Sequence, residues 1–297
     1  MTTAKNTKQD TVDINDPCDP EFWRLAWRRA REASFLKCSQ VVSSEAWHDF
    51  YAQVSGSYWE MWGQQGLRVV DEMIRQGIIV PGGRVLDVGS GPGTMALPLA
   101  QAGMAVTALD WCRPMLEALE SQATRRGIRG IETRCARWEQ FTGQPFHDLV
   151  LASFFPDALS VQGLERLEGW SGDRVALVLG TGEEHFAFRR QMWRRVLEVP
   201  YHDGGFHLAC ALGWLNASGR RPSLRHLSWP TTLDQPLEVV FSFYRHYFAI
   251  FGRSGEEVDR DILEILEQWR EGDRVRAVGG VSLALLWWDR PSGEDRP

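Results

Sequence analysis

Several features are missing from this chain of 297 residues, and each absence removes a class of explanation. No apolar run approaches the roughly 18 residues a membrane-crossing helix needs. The opening MTTAKNTKQD is too polar for a secretory leader, so a cytoplasmic protein without membrane contact is expected. Cysteine is scarce: Cys18, Cys38, Cys112, Cys135 and Cys210 are odd in number and scattered, with neither CxxC nor His/Cys spacing. That argues against a disulfide framework and a thiolate metal centre; reduced thiols and no metal are expected. Basic residues are in deficit, 33 Lys+Arg against 39 Asp+Glu, for a net charge of -6. A surface that tracks phosphates is usually basic, so nucleic acid is not the expected partner. Internal repeats and low-complexity linkers are also absent, which favours one domain with insertions.

What is present reads as a soluble globular chain, 43% hydrophobic and 24% charged. Fourteen tryptophans are many; most belong in a core, and some suit a flat pocket wall. Residues 1–20 form a polar arm, and 22–38 form a helix with Arg24, Arg28 and Arg31 on one solvated face. A second helix covers 66–77, with Leu67, Val70 and Ile74 as its apolar stripe and Gly77 as its stop. From residue 81 short apolar strands at 84–88, 104–110, 130–135, 147–153 and 173–180 alternate with helices at 94–103, 113–127 and about 157–169. That rhythm is a parallel sheet covered on both faces. It breaks at 183–219, which is largely helical. A strand at 223–229, helices at 236–252 and 256–269, and a strand at 274–289 interrupted at Gly279 and Gly280 complete the chain. The expected organisation is an arm and helical cap over 1–80, a cofactor-binding core over 81–182, a helical substrate cover over 183–221, and a return to the core over 222–297.

The chemistry concentrates in VLDVGSGPGT, residues 85–94. In an open parallel sheet ligands bind beyond the strand ends, and glycines there let a ligand touch the backbone. Gly89, Gly91 and Gly93 give GxGxG, whereas a dinucleotide fingerprint needs GxGxxG, and position 94 is Thr. Asp87, just below the loop, suits a cationic group better than a pyrophosphate. Asp110 ends the second strand, where an acid can accept both hydroxyls of a ribose. Trp111 could lie against an adenine and Trp138 could cover another side; aromatic faces also favour a sulfonium cation. The pattern describes a site for an adenosine-bearing cofactor.

VLDVGSGPGT, followed by VTALDW and FHDLVLASF, resembles the class I S-adenosylmethionine-dependent methyltransferases over roughly residues 45–182. The resemblance implies an α/β fold: a Rossmann-like, seven-stranded, mostly parallel sheet with helices on both faces, a reversed last strand, N-terminal helices and a helical insertion. It implies S-adenosyl-L-methionine as cofactor. Asp87, Gly89, Ser90, Gly91 and Gly93 would serve its methionine end, Asp110 its ribose and Trp111 its adenine, with Trp138 and Ser153 as further contacts. Two positions depart from the family. Arg137 stands where many members carry an acid for the adenine amino group, leaving that task to Trp138 by stacking or to Glu139. After the fourth strand SFFP, residues 153–156, replaces the Asn/Asp-Pro-Pro-aromatic motif of enzymes that methylate nucleobase amines.

Methyl transfer from a sulfonium is an in-line displacement in which alignment supplies up to roughly 7–11 kcal/mol. A general base is needed only when the acceptor must lose a proton. Candidate catalytic residues are Asp157, His185 and His202; candidate substrate contacts are Tyr58, Phe154, Phe155, Tyr201 and His207. Each has an ordinary alternative. The histidines suit surface or hydrogen-bonded positions, and Glu183 and Glu184 suit a helix start. Tyr58 and Trp59 suit either a lid or packing among the N-terminal helices. The expected activity is methyl transfer to a small molecule. RRQMWRR, 189–195, keeps RNA or protein open as acceptors, and a non-catalytic cofactor-binding module is the remaining alternative.

Overall fold

The computed structural model describes residues 16–35, 42–59, 63, 65–143, 147–181, 186–200 and 204–291. Three helices precede the sheet: α1 (Pro20–Glu32), α2 (Ser44–Val54) and α3 (Gln65–Arg75). Asp19 and Ser43 cap the first two, their side-chain oxygens accepting the N–H groups of Glu21 and Ala46. The alternating stretch follows as β1 (Arg84–Val88), α4 (Ala96–Gln101), β2 (Ala105–Asp110) and α5 (Arg113–Arg126). It continues as β3 (Ile131–Cys135), β4 (His147–Ser153), α6 (Val161–Trp170) and β5 (Ser171–Gly180). α5 carries proline in its first turn and closes on Gly127, whose φ of 65° is the left-handed conformation that glycine adopts without strain.

Beyond β5 come α7 (Ala187–Met192), continued as a π turn (Trp193–Leu197), and α8 (Phe206–Ala217). The chain ends with β6 (Ser223–Pro236), α9 (Leu237–Ala249), α10 (Glu256–Leu266), β7 (Arg270–Glu271) and β8 (Arg274–Asp289). The strand order is β3-β2-β1-β4-β5-β8-β6, and the two-residue β7 pairs with β8 off that path. β1 to β5 are mutually parallel, and β8 runs antiparallel to both β5 and β6. The order reverses at β1, flanked by β2 and β4, so the loop leaving β1 opens where such sheets receive ligands.

Two cores sandwich the sheet. On one face Val69, Val70 and Met73 of α3 and Ala96 and Leu99 of α4 meet Val85 and Leu283. On the other, Trp27 of α1, Leu164 of α6 and Trp214 of α8 meet Leu86 and Leu286. Alternate residues of β8 enter opposite cores, Leu283 and Leu285 one, Ala284 and Leu286 the other, as the two-residue strand period requires. A third core gathers Phe50 of α2, Met192 of α7, Phe243 and Phe248 of α9 and Ile262 of α10 against Leu233 and Val275. This is the cap. It stands on a ribbon formed where β6 and β8 stay paired beyond the last β5 contact at Leu283.

Four expectations change. Leu67 and Ile74 are each 45% exposed, so they are not the inner stripe of α3. Gly66 is pressed against the Thr94 carbonyl, where a Cβ would collide, and that contact turns residues 66, 69, 70 and 73 inward. Gly279 and Gly280 do not interrupt β8; they sit opposite Thr231 and Pro230 in a continuous ladder. Pro230 fits because β6 is an edge strand, where a missing N–H removes no ladder bond. β6 itself continues past residue 229 to Pro236. The helices are also shared out differently: α7 joins the cap while α8 packs on the sheet, and the cap recruits α9 and α10. Of the first three helices only α2 enters the cap core; α1 and α3 cover the sheet.

Candidate functional site

The loop after β1 holds three glycines, each for a different reason. Gly89 has φ of 71°, and the Phe155 ring lies against it: a Cβ would sit 2.5 Å from ring carbon Cδ2. Gly91 has φ of 52°, no atom within 4 Å of where a Cβ would sit, and an N–H donated to Asp110 Oδ2 at 2.8 Å. Gly93 has φ of 90° and separates two helices, since a Cβ would stand 2.8 Å from Leu119 of α5 and 3.0 Å from Leu97 of α4. Gly91 is thus open to a ligand, whereas the Phe155 ring covers Gly89, and Gly93, expected at the methionine end, is required by packing. The N–H groups of Gly89 and Ser90 both donate to the Leu109 carbonyl, at 2.8 and 3.1 Å, fastening the loop to β2.

Two carboxylates flank this loop. Asp110 accepts from Gly91 through Oδ2 and from the Cys112 N–H through Oδ1, each at 2.8 Å. Burial raises its pKa; the N–H groups of Cys112, Gly91 and Trp111 and the nearby His48 oppose that rise. Asp87 is 1% exposed, and neither of its oxygens meets a donor in good hydrogen-bond geometry, the Ala96 N–H reaching it only well enough to lower its pKa. Burial, reinforced by the charge of Asp110, pushes its carboxyl up to about 7, with the Ala96 backbone amide pulling the other way. Ser90, 5% exposed, adds a hydroxyl without a partner. Buried polar atoms of this kind are rare and costly, and a ligand carrying donors or positive charge would satisfy them. The residues therefore fit a cationic group at this end of the loop.

The cap helix α2 meets the residues that follow Asp110 and β3, through His48 on Trp111 and Glu45 on Arg137. Tyr51 of α2 has its hydroxyl pKa raised by burial, with Tyr58, Asp110, Asp157 and Tyr247 adding to the effect. Tyr58 is pushed up to about 12 by burial, the Arg189 charge opposing and Asp110 adding. Each side chain is half-buried by surface area, with its hydroxyl end in dense surroundings. Both phenols stay protonated at neutral pH, and the Asp110 charge adds to the rise of each. Sequence reasoning singled out Tyr58 and missed Tyr51 and His48. The signal was available: Glu45, His48 and Tyr51 recur at helical spacing, and all three meet the site rim. Glu45 pairs with Arg137 at 3.5 Å, and the His48 ring lies 4.7 Å from that of Trp111.

The expected aromatic walls are partly in use. Arg137, at the position where an acid was sought, places its guanidinium 4.0 Å over the Trp111 ring. Trp138 meets Phe155 and Trp170 edge-on, with centroids 5.5 and 6.1 Å apart, and carries Arg166 4.9 Å over its ring. Its buried indole N–H has no partner. Trp59 packs under Arg126 of α5 at 4.3 Å. Ser153 ends β4 opposite Val178, and Asp157 lies in the short turn Pro156–Ala158. Phe154 is 43% exposed with φ of 50°, a conformation strained for a non-glycine residue. His207 is taken up elsewhere: its Nδ1 accepts from the Trp27 indole at 2.9 Å where α8 meets α1. His185, His202, Tyr201, Glu183 and Glu184 lie outside the described residues.

A groove of about 440 Å³ lies apart from this site, between α3 and β6. Its buried acid Glu72 is already paired with Arg75 at 2.6 Å and Arg225 at 3.3 Å, so it offers no unsatisfied charge. Among the described residues no cluster of three or more His, Cys, Asp or Glu could hold a metal ion, and no helix is long and apolar enough to cross a membrane.

Residues 85–167 match the model of a methyltransferase domain. The matched segment runs from β1 into α6 and contains the glycine loop, Asp110, Trp138, Phe155 and Asp157. An uncharacterized protein of Haemophilus influenzae is 43% identical over 70 residues, 23% of this chain and 26% of that protein. The chain thus spans about a quarter of the curated relative it matches. Magnesium protoporphyrin IX methyltransferase from Synechocystis PCC 6803, solved with SAM bound, is 17% identical, with a TM-score of 0.44 over 77% of this chain and 79% of that one. A SAM-dependent O-methyltransferase from Thermotoga maritima is 13% identical, with a TM-score of 0.44 over 74% of this chain and 64% of that one.

Proposed function

We propose that this protein is an S-adenosylmethionine-dependent methyltransferase acting on a small-molecule acceptor. The observation that carries this reading is the partnerless Asp87 and Ser90 beside an Asp110-anchored glycine loop, within the segment that matches a methyltransferase domain. Asp87 and Ser90 would receive the cationic methionine end, and Gly91 leaves its backbone open to close approach. Each Asp110 oxygen already accepts one N–H and retains a lone pair for a ribose hydroxyl. Trp111, backed by Arg137, would border the base. The bound cofactor supplies an already activated methyl group.

This chain's own work is then to bind, align and exclude water. Tyr51 and Tyr58 remain protonated, so they orient the acceptor as hydrogen-bond donors. Asp157, whose charge reaches Tyr51, is the candidate we assign to take a proton from an acceptor that must lose one. The small-molecule reading is favoured over RNA by the net charge of -6 and by the engagement of two of the four arginines in the run 189–195, while Arg190 and Arg194 are exposed. Arg195 bonds Asp261 at 2.8 Å and Glu264 at 2.6 Å, and Arg189 lies 5.5 Å over the Tyr247 ring.

Calorimetric titration with S-adenosylhomocysteine and with NADH tests the reading. The homocysteine product should bind, and Asp110→Ala should weaken it about 10- to 100-fold, the loss of one or two charge-assisted hydrogen bonds. Binding of NADH alone would overturn the assignment, and an unchanged affinity in the Asp110 variant would remove the ribose from that carboxylate.

A further inference from the structure

We infer that Phe155 is the residue by which this site distinguishes a cationic methyl donor from its neutral product, an inference that rests on the reading above. Three rings stand near the loop, and two already carry a cation of the protein itself: Arg137 lies over Trp111 at 4.0 Å and Arg166 over Trp138 at 4.9 Å. Among the described residues no Lys or Arg lies over Phe155. Its ring rests on Gly89, in a contact that only glycine permits, two residues after the partnerless carboxylate of Asp87.

The ring is also held in place. Trp138 meets it edge-on at 90°, fixing its plane. The preceding residue, Phe154, takes up a left-handed φ of 50° while its N–H donates to the Val178 carbonyl at 3.0 Å. That strained step redirects the chain at the end of β4, leaving Phe154 exposed and Phe155 over the loop. An aromatic face attracts positive charge and gains nothing from an uncharged thioether, whereas Asp87, assigned above to the amino end that both ligands share, acts equally on the two. Attraction of a cation to a desolvated ring is a charge effect, which a leucine of similar bulk does not supply.

The test is the ratio of two dissociation constants, for S-adenosylmethionine and S-adenosylhomocysteine, measured by calorimetry on wild type, Phe155→Leu and Phe155→Tyr. Phe155→Leu should weaken the sulfonium about three- to thirty-fold while leaving the thioether within about twofold. Phe155→Tyr, which keeps the ring, should restore the wild-type ratio and also controls for folding. Equal loss for both ligands would show Phe155 to be only a wall, and a gain for both would show it to be a plug; either result overturns the inference. Failure of wild type to bind either ligand would instead overturn the functional reading on which it rests.

Discussion

A buried carboxylate with no partner works against the unliganded fold once it ionises, and Asp87 is in that position. Its carboxyl titrates near 7 in the fold and near 3.8 when exposed. Between those values the folded chain holds a proton the unfolded chain has lost, so stability is greatest below the lower value and falls as pH rises to the upper one. Asp87→Asn removes that charge. In thermal melts of the unliganded protein at pH 8 the variant should melt higher than wild type, by about 2–4 °C for each kcal/mol recovered. Its affinity for S-adenosylhomocysteine should fall at the same time. A variant that melts lower at pH 8 would show that Asp87 is compensated in the unliganded fold. At this scale the loop and both acids were legible, because strand, acid and glycine are contiguous in VLDVGSGPGT. The purpose of Gly93 was not, since it depends on Leu119 of another helix.

Helix contacts carry their own consequences. α1 and α8 meet through the Trp27 indole, which donates to His207 Nδ1. Burial, with the Arg31 charge adding, lowers the His207 pKa to about 4, so the ring stays neutral with its proton on Nε2. An unfolded histidine gains a proton near 6.5 and this one does not, so its contribution to stability is present above 6.5 and lost as pH falls toward 4. NMR titration should show the His207 ring unchanged from pH 7 to 5. Trp27→Phe, which strands the Nδ1 acceptor, should cost about 1–3 kcal/mol in urea denaturation at pH 7. A ring that titrates near 6.5, or a variant within about 0.5 kcal/mol of wild type, would refute this account of the contact. Element positions were largely legible from periodicity. The rotation of α3 was not, because one glycine pressed on Thr94 outweighs the apolar residues at 67 and 74. Nor was the continuity of β8 through Gly279 and Gly280, which β6 maintains by pairing with it residue for residue.

In the whole molecule, a sheet that positions the glycine loop is joined to a cap by the β6–β8 ribbon. The ribbon shares Leu233, Val275 and Ala277 with the cap core. α2 roots Phe50 and Val54 in that core and brings the His48 ring to 4.7 Å from that of Trp111, next to Asp110. The alternating half of this architecture could be read from sequence; of the cap, helices over 1–80 and 183–221 were expected, and the recruitment of α9 and α10 was not. The cap core draws on residues near 50, 192, 243, 262 and 275, separations at which local pattern carries no information. The most direct test of the central claim is a crystal structure grown with S-adenosylhomocysteine. The account predicts ligand over Gly91 and beside the Phe155 ring, ribose hydroxyls on Asp110 and the amino end beside Asp87 and Ser90. A cleft without ligand, or ligand bound away from Asp87 and Asp110, would contradict it.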